Sequence, residues 1–470
     1  MVVFGQALSD STYVVKRIEE RVNLLSLLVA LRSRYDDVVF LESVEGPSPL
    51  AEYSFLAFDP VAVLEVPEGR ECSMLYVEGS LYEEHDGDSL DHLRTLIGRG
   101  LPSAATPRLA GGAIGFVSYD AARLWYDFEG RRERSTEFPL MRFGVFRSIL
   151  VHDHRTRETY WCSVGERRGP DAELREALRE AECAEGLNDG KLDYTEDGTS
   201  SDEKAFVRMV DRGKEYIASG DVFQVVLSRR VNLRVSGDLM QLYAALRRIN
   251  PSPYMYHLRL GDVEIVGSSP EMLVRVEGER VTTFPIAGTR RRLEDSHSDS
   301  LSDMQLLTDE KELAEHVMLV DLARNDLGRV CLPGSVNVAE LMKLVKYSHV
   351  KHLVSRVEGV LRPDMVPRDA LVSVFPAGTV SGAPKLRAME VIDELEPIAR
   401  GPYAGAVGYV SFNWCADFAI AIRTLFKRGD RAFMQAGAGV VWDSVPEREY
   451  AETEAKLSAL RTALSEAKGP

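Results

Sequence analysis

The chain has 470 residues, of which 45% are hydrophobic and 28% are charged, and its formal net charge is −16. At about 150 residues per domain, this ordinary globular composition predicts two or three domains. The negative charge argues against nucleic acid or an anionic membrane as a partner, because counterion release would oppose binding. No signal pattern opens the sequence, and the early apolar run from Asn23 is well short of the roughly 20 residues that cross a bilayer, so we expect a cytoplasmic protein.

The first half of the chain reads as one helix followed by short strands. The strands are expected over residues 36–165, where apolar runs are separated by Gly, Pro and Asp turns. Residues 169–186 predict a charged amphipathic helix, and the segment that follows is polar and acidic. We therefore expect a domain boundary here, between an N-terminal domain at 1–190 and a catalytic domain at 203–465.

The second half alternates strands with helices, which predicts an α/β or α+β domain. The helices are expected at 203–219, 238–249, 309–326, 366–374, 384–395 and 448–467. No Walker-type loop and no G-x-G-x-x-G turn follows a predicted strand, so no nucleotide-binding fold is indicated. The five cysteines are scattered singly and are expected to be free thiols.

Two of these helices begin with a pair of acidic residues three positions apart. Glu312 and Glu315 share one helix face, and so do Glu449 and Glu452. Acids near a helix N-terminus also complement the helix dipole, and Glu452 followed by Lys456 is a favourable surface pair. If the two pairs converge, they form an oxygen-only site that suits Mg²⁺. The spacing alone leaves both interpretations open.

Three further segments have the composition of a ligand-binding surface. In "DFAIAIRTL", strand alternation would place Arg423 on the same face as Asp417, beside small residues that leave room for an anion. In "MQAGAGVVWD", alternating Ala and Gly would let a ligand approach the strand closely. In "FPAGTVSGAPK", a turn leads through Pro384 into a helix whose N-terminus favours anions.

Together these segments resemble the chorismate-utilising enzymes, most closely those of the anthranilate synthase large-subunit type. The matching motifs follow the family order along residues 203–460, and "FLESVEG" and "GGAIGFVSYDAAR" match in the N-terminal part. They are "DVFQVVLSRR", "NPSPYM", "GSSPEML", "PIAGTR", "KELAEHVMLVDLARNDLGRV", "VKHLVSRVEG", "FPAGTVSGAPK", "IRTL", "QAGAGVV" and "EYAETEAK". The fold implied is a two-domain α/β (α+β) architecture built round a β-sandwich with surrounding helices, with the active site in a cleft.

The resemblance implies a Mg²⁺-dependent lyase that converts chorismate and ammonia to anthranilate and pyruvate. Ammonia adds at ring C2, the C4 hydroxyl leaves, and pyruvate is then eliminated. Glu315 and Glu452 are the expected direct metal ligands, with Glu312 and Glu449 binding directly or through water. The residues expected to contact chorismate are Gly288, Thr289, Tyr403, Arg423, Gly437, Ala438, Gly439 and Lys456.

Four residues are expected to take part in catalysis. Glu271 matches the acid that protonates the leaving hydroxyl, which is otherwise a poor leaving group. His352 matches a histidine tied to the elimination step, although a lone histidine is more often structural. Thr379 matches a position that lines the ring pocket. Gln224 stands where relatives that add water to chorismate carry a lysine base, and ammonia needs no such base.

The resemblance also implies regulation and a partner. Feedback inhibition by tryptophan is expected at a site beside the catalytic cleft. Its residues are Glu42, Ser43, Pro251, Ser252, Tyr254 and Met255. None of the cysteines lies in a glycine-flanked elbow, so ammonia from glutamine is expected to come from a separate glutamine amidotransferase subunit.

Two alternatives remain at this point. Aminodeoxychorismate synthases show a lysine nucleophile in "PIKGT", where this chain has Ala287, so the anthranilate product is favoured and aminodeoxychorismate synthase is the runner-up. A catalytically silent tryptophan sensor of the same fold is disfavoured by the intact set of acids. The chain departs from the family in reading "GTRRRL" for the frequent "GTRPRG", and in Lys351, which stands where an apolar residue is common.

Overall fold

A computed structural model describes twelve stretches of the chain and is the basis of the following sections. They are residues 13–20, 22–44, 51–69, 72–77, 80–86, 89–97, 107–128, 137–165, 172–183, 191–293, 295–346 and 350–468. Within them no helix is long and apolar enough to cross a membrane.

The elements are numbered in chain order. The helices are α1 (Leu24–Arg32), α2 (Ser89–Ile97), α3 (Ala172–Cys183), α4 (Glu203–Ala218), α5 (Met240–Ile249), α6 (Ser296–Thr308), α7 (Glu310–Gly328), α8 (Pro367–Val374), α9 (Lys385–Leu395) and α10 (Pro446–Ala467). The strands of the first half are β1 (Tyr13–Ile18), β2 (Val38–Glu42), β3 (Tyr53–Phe58), β4 (Ala62–Val66), β5 (Cys72–Val77), β6 (Ser80–Asp86), β7 (Gly112–Val117), β8 (Met141–Phe146), β9 (Ser148–Asp153), β10 (Glu158–Val164) and β11 (Leu192–Thr199). Those of the second half are β12 (Gln224–Gly237), β13 (Tyr254–Leu260), β14 (Val263–Ser269), β15 (Met272–Glu277), β16 (Arg280–Thr283), β17 (Ile286–Arg291), β18 (Asn337–Lys346), β19 (Val350–Val360), β20 (Gly382–Ala383), β21 (Ala406–Ser411), β22 (Ala416–Ile420), β23 (Thr424–Arg428) and β24 (Arg431–Val440).

The strands form two large antiparallel sheets. The first sheet has the order β1-β10-β9-β3-β2-β13-β14-β23-β24-β12-β11, with β20 paired to β12. The second has the order β17-β19-β16-β15-β22-β21-β7-β8-β4-β5-β6, with β18 paired to β19. Both halves of the chain contribute to both sheets, through the pairs β2 with β13 and β7 with β21. The division into domains at 1–190 and 203–465 remains a proposal, and the stretch after residue 190 includes the strand β11.

The two sheets pack face to face, and helices cover the outer face of the first. One core cluster draws residues from both sheets, including Phe55 of β3 and Tyr409 of β21, whose ring centroids lie 5.6 Å apart. A second cluster lies between the first sheet and helices α1, α3, α5 and α10. The apolar run of strand β2 is continuous because both of its faces are buried. Val39 faces the other sheet, while Val38 and Phe40 face the helices. The predicted β-sandwich with surrounding helices is confirmed.

The helices predicted from sequence are present within a few residues of their expected ends, but three features differ from the predictions. Helix α2 (Ser89–Ile97) interrupts the region 36–165, where only strands were expected. Helix α6 (Ser296–Thr308) was not expected, because its sequence is mostly polar. The predicted continuous strand at 417–425 is wrong: β22 ends at Ile420, β23 begins at Thr424, and Arg423 between them has φ 52°. Such a left-handed residue cannot continue a strand, so alternation does not carry across it.

Candidate active site

The candidate site lies where β12 and β24 reach helices α7 and α10. Strand β12 begins at Gln224 and pairs with β24, so that Val225 lies opposite Val440. Helix α7 is capped by Asp309, whose carboxylate accepts the backbone N–H groups of Lys311 and Glu312. The cap fixes the start of the helix, and with it the direction of the acidic pair in its first two turns.

Gln224 connects the start of β12 to one acidic pair. Its amide Nε2 donates to Glu315 Oε1 over 2.9 Å. The same amide packs over β24, because a Cβ added at Gly439 would lie only 2.9 Å from Nε2. Glycine at this position therefore leaves room for the Gln224 amide against the strand, whereas the sequence predicted the approach of a ligand there.

The second acidic pair is held at β24 through Lys456. The Lys456 ammonium donates to the Gly437 carbonyl over 2.8 Å and forms an ion pair with Glu452 over 2.8 Å. The Tyr403 hydroxyl reaches the same place, since its oxygen is 3.0 Å from where a Cβ would stand on Gly437. The side chain of Ala438 instead packs in the apolar core beneath α4 and α9, so this residue can offer a ligand only its backbone.

Both acidic pairs contain a carboxyl group that resists ionisation. Partial burial, and then the charge of Glu315, raises the pKa of Glu312. The pKa of Glu449 is also raised, because burial and the charge of Glu452 outweigh a hydrogen bond from Ser444 that lowers it. Lys311 of α7 lowers the pKa of Glu449 on α10, so the starts of the two helices are within electrostatic reach of each other. A cation placed between the pairs would relieve this repulsion.

The chemistry of these donors fits an oxygen-preferring cation. Carboxylates are the ligands that Mg²⁺ takes from proteins, usually one or two at a time with waters completing the shell. Among the described residues, however, no three His, Cys, Asp or Glu side chains come close enough together to form a metal site. The four glutamates therefore do not form a closed cage.

Glu271 is the buried acid of the site. It lies in the turn between β14 and β15, where its carbonyl accepts the N–H of Ile420 over 3.1 Å. Burial raises the pKa of its carboxyl group to about 7, while Thr379, Arg423 and Lys456 act in the opposite direction. Four of the predicted residues thus lie close enough to influence one another.

Arg423 interacts electrostatically with both Glu271 and His352. Burial lowers the pKa of the Arg423 guanidinium and the charge of Glu271 raises it. Burial, and then the charge of Arg423, lowers the pKa of His352 to about 4, against a backbone hydrogen bond to Gly288 that raises it. His352 is therefore neutral at pH 7, and the backbone of Thr289 pairs with it in the sheet. The side chain of Thr289 is outside the described part of the structure.

The predicted inhibitor residues lie mostly around a different cavity. Glu42, Ser43, Tyr254 and Met255 line it, together with aromatic side chains of both sheets. Pro251 and Ser252 do not line it; the Ser252 carbonyl instead accepts the N–H of Val44 over 3.3 Å and fixes the adjacent backbone. The aromatic and polar lining that was not expected consists of Tyr53, Phe55, Tyr256, Tyr409 and Asp417.

Two of these groups are already engaged. The Glu42 carboxylate accepts the Tyr243 hydroxyl over 2.7 Å and two Arg247 nitrogens over 2.8 and 3.0 Å. Asp417 accepts the Tyr254 hydroxyl over 2.9 Å and Arg275 over 2.6 Å. Asp417 therefore belongs to this cavity and does not share a strand face with Arg423, contrary to the sequence prediction. Sequence spacing carried no signal for the partners of Asp417.

Fold and site together define an enzyme of the chorismate-binding class. The family profile described as chorismate binding enzyme matches residues 38–462. The chain belongs to this family, and the resemblance inferred from its motifs is confirmed.

Two similar relatives and one similar crystal structure carry the same name. Anthranilate synthase component 1 of Methanothermobacter thermautotrophicus is 45% identical, over 98% of this chain and 96% of the relative. The protein of that name from Bacillus caldotenax is 40% identical, over 97% of this chain and 94% of its own length. The crystal structure of anthranilate synthase component I from Streptococcus pneumoniae superimposes with a TM-score of 0.74 at 38% identity, covering 89% of this chain and 93% of that one.

The buried carboxyl of Glu271 makes the stability of the chain depend on pH. Its pKa rises from 4.5 to about 7 on folding, so between these values the folded state keeps a proton that the unfolded state has lost. Stability is therefore lost as pH rises through this window, by about 2 kcal/mol between pH 5 and pH 8. We expect Glu271→Gln to lack this loss. Its free energy of unfolding in urea, relative to that of the wild type, should therefore rise by the same amount between pH 5 and pH 8.

The matched control is Glu310→Gln, which removes an exposed carboxylate at the start of α7. It should show the same difference from the wild type at both pH values. If Glu271→Gln behaves like this control, the Glu271 carboxyl is solvated and the assignment is wrong.

Proposed function

We propose that the chain is the synthase subunit of an anthranilate synthase, converting chorismate and ammonia to anthranilate and pyruvate. The observation that carries the proposal is the grouping of Glu271 with Thr379, Arg423 and Lys456 beside the acidic helix starts. A general acid works best when its pKa is near the working pH, and about 7 meets that condition. The names of the relatives support the same reaction.

The charges of the site suit a substrate with two carboxylates. Arg423 and Lys456 supply positive charge near Glu271, and a guanidinium in a buried setting binds a carboxylate strongly. We assign the enolpyruvyl carboxylate to Arg423, with Tyr403 and the backbone of Gly437 and Gly439 beside it. This accounts for how a chain with a net charge of −16 binds an anion.

Proton transfer is assigned to two residues. Protonated Glu271 donates to the C4 hydroxyl as it leaves, and Thr379 lies beside the carboxyl group. His352, neutral at pH 7 because of its low pKa, has an imidazole able to take a proton in the elimination of pyruvate. Burial of the acid excludes bulk water, so the proton is delivered to the leaving group and not to solvent.

Gln224 supports ammonia as the nucleophile. Its amide is a donor to Glu315 and has no basic nitrogen, so it cannot activate water. Ammonia, the deprotonated form of ammonium, is already nucleophilic and needs no such base. Ala287, which cannot form a covalent intermediate, supports the 2-amino product over the 4-amino product of aminodeoxychorismate synthases.

Mg²⁺ is the proposed cofactor. Glu315 and Glu452 would bind it directly, with Glu312 and Glu449 direct or through water. When bound, it would neutralise the ring carboxylate of chorismate. The raised pKa values of Glu312 and Glu449 support a cation here, because both groups ionise more easily next to one.

A glutamine amidotransferase subunit is the proposed partner. Four cysteines, Cys72, Cys162, Cys331 and Cys415, are buried. Burial raises the pKa of Cys162 and of Cys331 to about 11, so neither is a reactive thiolate at neutral pH. A separate glutaminase is therefore the expected source of ammonia.

The nitrogen source gives the direct test of function. The purified chain, given chorismate, Mg²⁺ and high ammonium, should produce anthranilate, detected by its fluorescence and separated from its isomers. With glutamine as sole donor it should produce none, because burial keeps the Cys162 and Cys331 thiols protonated and no cysteine of the sequence lies in a glycine-flanked elbow. Glu271→Gln purified in the same way controls for a contaminating enzyme. Robust product from glutamine would reveal an internal glutaminase, and a different aminated product would reject the anthranilate assignment.

The metal assignment is tested by two substitutions with matched controls. Glu315→Gln and Glu452→Gln each remove a proposed ligand, so the Mg²⁺ concentration for half-maximal rate should rise about 10-fold or more. Glu310→Gln and Glu447→Gln remove exposed carboxylates from the first turns of the same helices and should leave it unchanged. Equal behaviour of both sets would show that the acidic pairs only complement the helix dipoles.

The cavity lined by Ser43 and Met255 is the proposed tryptophan site. Ser43→Ala and Met255→Thr should raise the tryptophan concentration for half-inhibition about 10-fold, because each removes a contact from the lining. The uninhibited rate should stay near that of the wild type. Ser33→Ala, at the exposed end of α1, should change neither quantity. An equal loss of inhibition and rate would mean that the two residues are structural.

A further inference from the structure

An ion pair is buried directly beneath the candidate site, in the segment that follows α9. Arg400 is 1% exposed and Glu396 is 2% exposed. Arg400 Nη2 lies 2.6 Å from Glu396 Oε1, and its Nε lies 3.0 Å from Oε2. The guanidinium and the carboxylate are therefore locked in one plane by two parallel hydrogen bonds.

The remaining donors of Arg400 join two parts of the site. Its Nη1 donates to the Val380 carbonyl over 2.6 Å, and its Nη2 to the Val226 carbonyl over 2.7 Å. Val380 ends the short 3-10 turn that contains Thr379, and Val226 lies two residues beyond Gln224. One side chain thus fixes the distance between the Thr379 turn and the start of β12.

Glu396 extends the connection to β24. Its Oε1 accepts the N–H of Ser228 over 2.7 Å and the Ser228 hydroxyl over 2.8 Å. Gln435 of β24 donates to that hydroxyl over 2.7 Å. The pair therefore joins the turn and both strands that bring Gln224, Gly437 and Gly439 to the site.

The backbone that carries the pair is itself held in place. Arg230 Nη2 donates to the carbonyls of Ala399 over 2.8 Å and Arg400 over 3.1 Å. The Arg400 guanidinium carbon lies 4.6 Å from the ring centre of Tyr119 and 5.8 Å from that of Tyr403. Tyr403 is a proposed substrate contact, and a cation–π contact with Arg400 helps to hold its ring in place.

Stability alone does not explain such a pair. A buried ion pair is often no more stable than well-packed apolar side chains of similar volume, because both charges lose their hydration. What an arginine adds is a planar fork of five donors with fixed directions, which a lysine cannot reproduce. Apart from the ring of Tyr119, the contacts described for Arg400 are with groups that shape the site, and almost none of its surface is exposed.

We propose that Arg400, oriented by Glu396, is a positioning residue that holds the Thr379 turn, Tyr403 and the start of β12 in their working arrangement. The proposal rests on the function proposed above. Arg400 touches no reacting atom and acts only through the backbone and ring that it fixes.

The test compares Arg400→Lys with a matched control. Lysine keeps the charge opposite Glu396 but cannot hold both carbonyls in one plane. We expect a kcat per folded molecule at least about 10-fold lower, with a smaller change in the KM for chorismate, and a lower unfolding midpoint because buried carbonyls lose a donor. The control is Arg32→Met, which breaks a buried pair with Glu264 on the helix-covered face of the first sheet, at 2.9 Å. It should lose stability while keeping kcat per folded molecule within about twofold.

Hydrogen exchange gives a readout that is independent of activity. The amides of Val380 and Ser381 bond within the turn, and the amide of Val226 bonds to the Ser381 carbonyl over 2.9 Å. Arg400→Lys should speed exchange at these amides, and Arg32→Met should not. If the wild type makes no anthranilate but exchange still changes in this way, the proposed function fails and the positioning role stands.

Two outcomes would overturn the positioning role. The first is wild-type kcat and wild-type exchange in Arg400→Lys. The second outcome concerns Glu396→Gln, which is used if Arg400→Lys does not fold. This variant keeps the shape of the partner but removes its charge, and we expect a lower kcat and faster exchange in it as well. Unchanged kcat per folded molecule in Glu396→Gln would show that the pair serves only folding.

Discussion

The pairing of β12 with β24 is the constraint on which the site depends. The ladder runs from Val225 opposite Val440 to Arg234 opposite Arg431 without a bulge. This register sets Gln224 beside Gly439, and it places Gly437 where Lys456 of α10 can donate to its carbonyl. A slip of one residue would turn every side chain of β24 to the other face, so that Gly437 instead of Ala438 would face the core beneath α4 and α9. The residues between the two acidic helix starts thus derive their positions from one ladder.

The electrostatics of the site follow from burial more than from any single pair of charges. Glu271, Arg423 and His352 are all shifted first by loss of water and only then by one another. The result is a Glu271 carboxyl group that is half protonated near pH 7 and a His352 imidazole that is neutral there, both interacting with Arg423. Acid and base roles are separated by environment, although in water the carboxyl group would be the more acidic of the two.

The sequence was most informative where function depends on local spacing. The acidic pairs, the Ala/Gly strand and most helices could be predicted because each is encoded within a few residues. Arg423 was placed on the wrong strand face because its left-handed backbone has no signal in the alternation of "DFAIAIRTL". The contacts of Gln224 with Glu315 and of Arg400 with Val226 join residues far apart in the chain, and no pattern predicts such pairs.

Helix α6 docks on the protein through ion pairs with the unusual Lys351. The helix is polar and has little apolar periodicity, so nothing in its own sequence indicated that it would dock on the protein. Lys351 is fully buried and donates to Asp299 over 2.9 Å and to Asp303 over 2.5 Å, both on α6. A lysine where an apolar residue is common is thus accounted for by two acids that appear in sequence as ordinary surface residues.

Both halves of the chain contribute strands to both sheets, and this has a consequence for folding during synthesis. Ser411 donates to the carbonyl of Gly111, 300 positions earlier, beside the pairing of β21 with β7. At about 5–20 residues per second, a ribosome needs roughly 15–60 s to synthesise that interval. During this time β2 and β7 have left the ribosome without the strands that complete their edges, and open edges invite pairing with other chains. The chain is therefore most exposed to wrong strand pairing while it is still being synthesised.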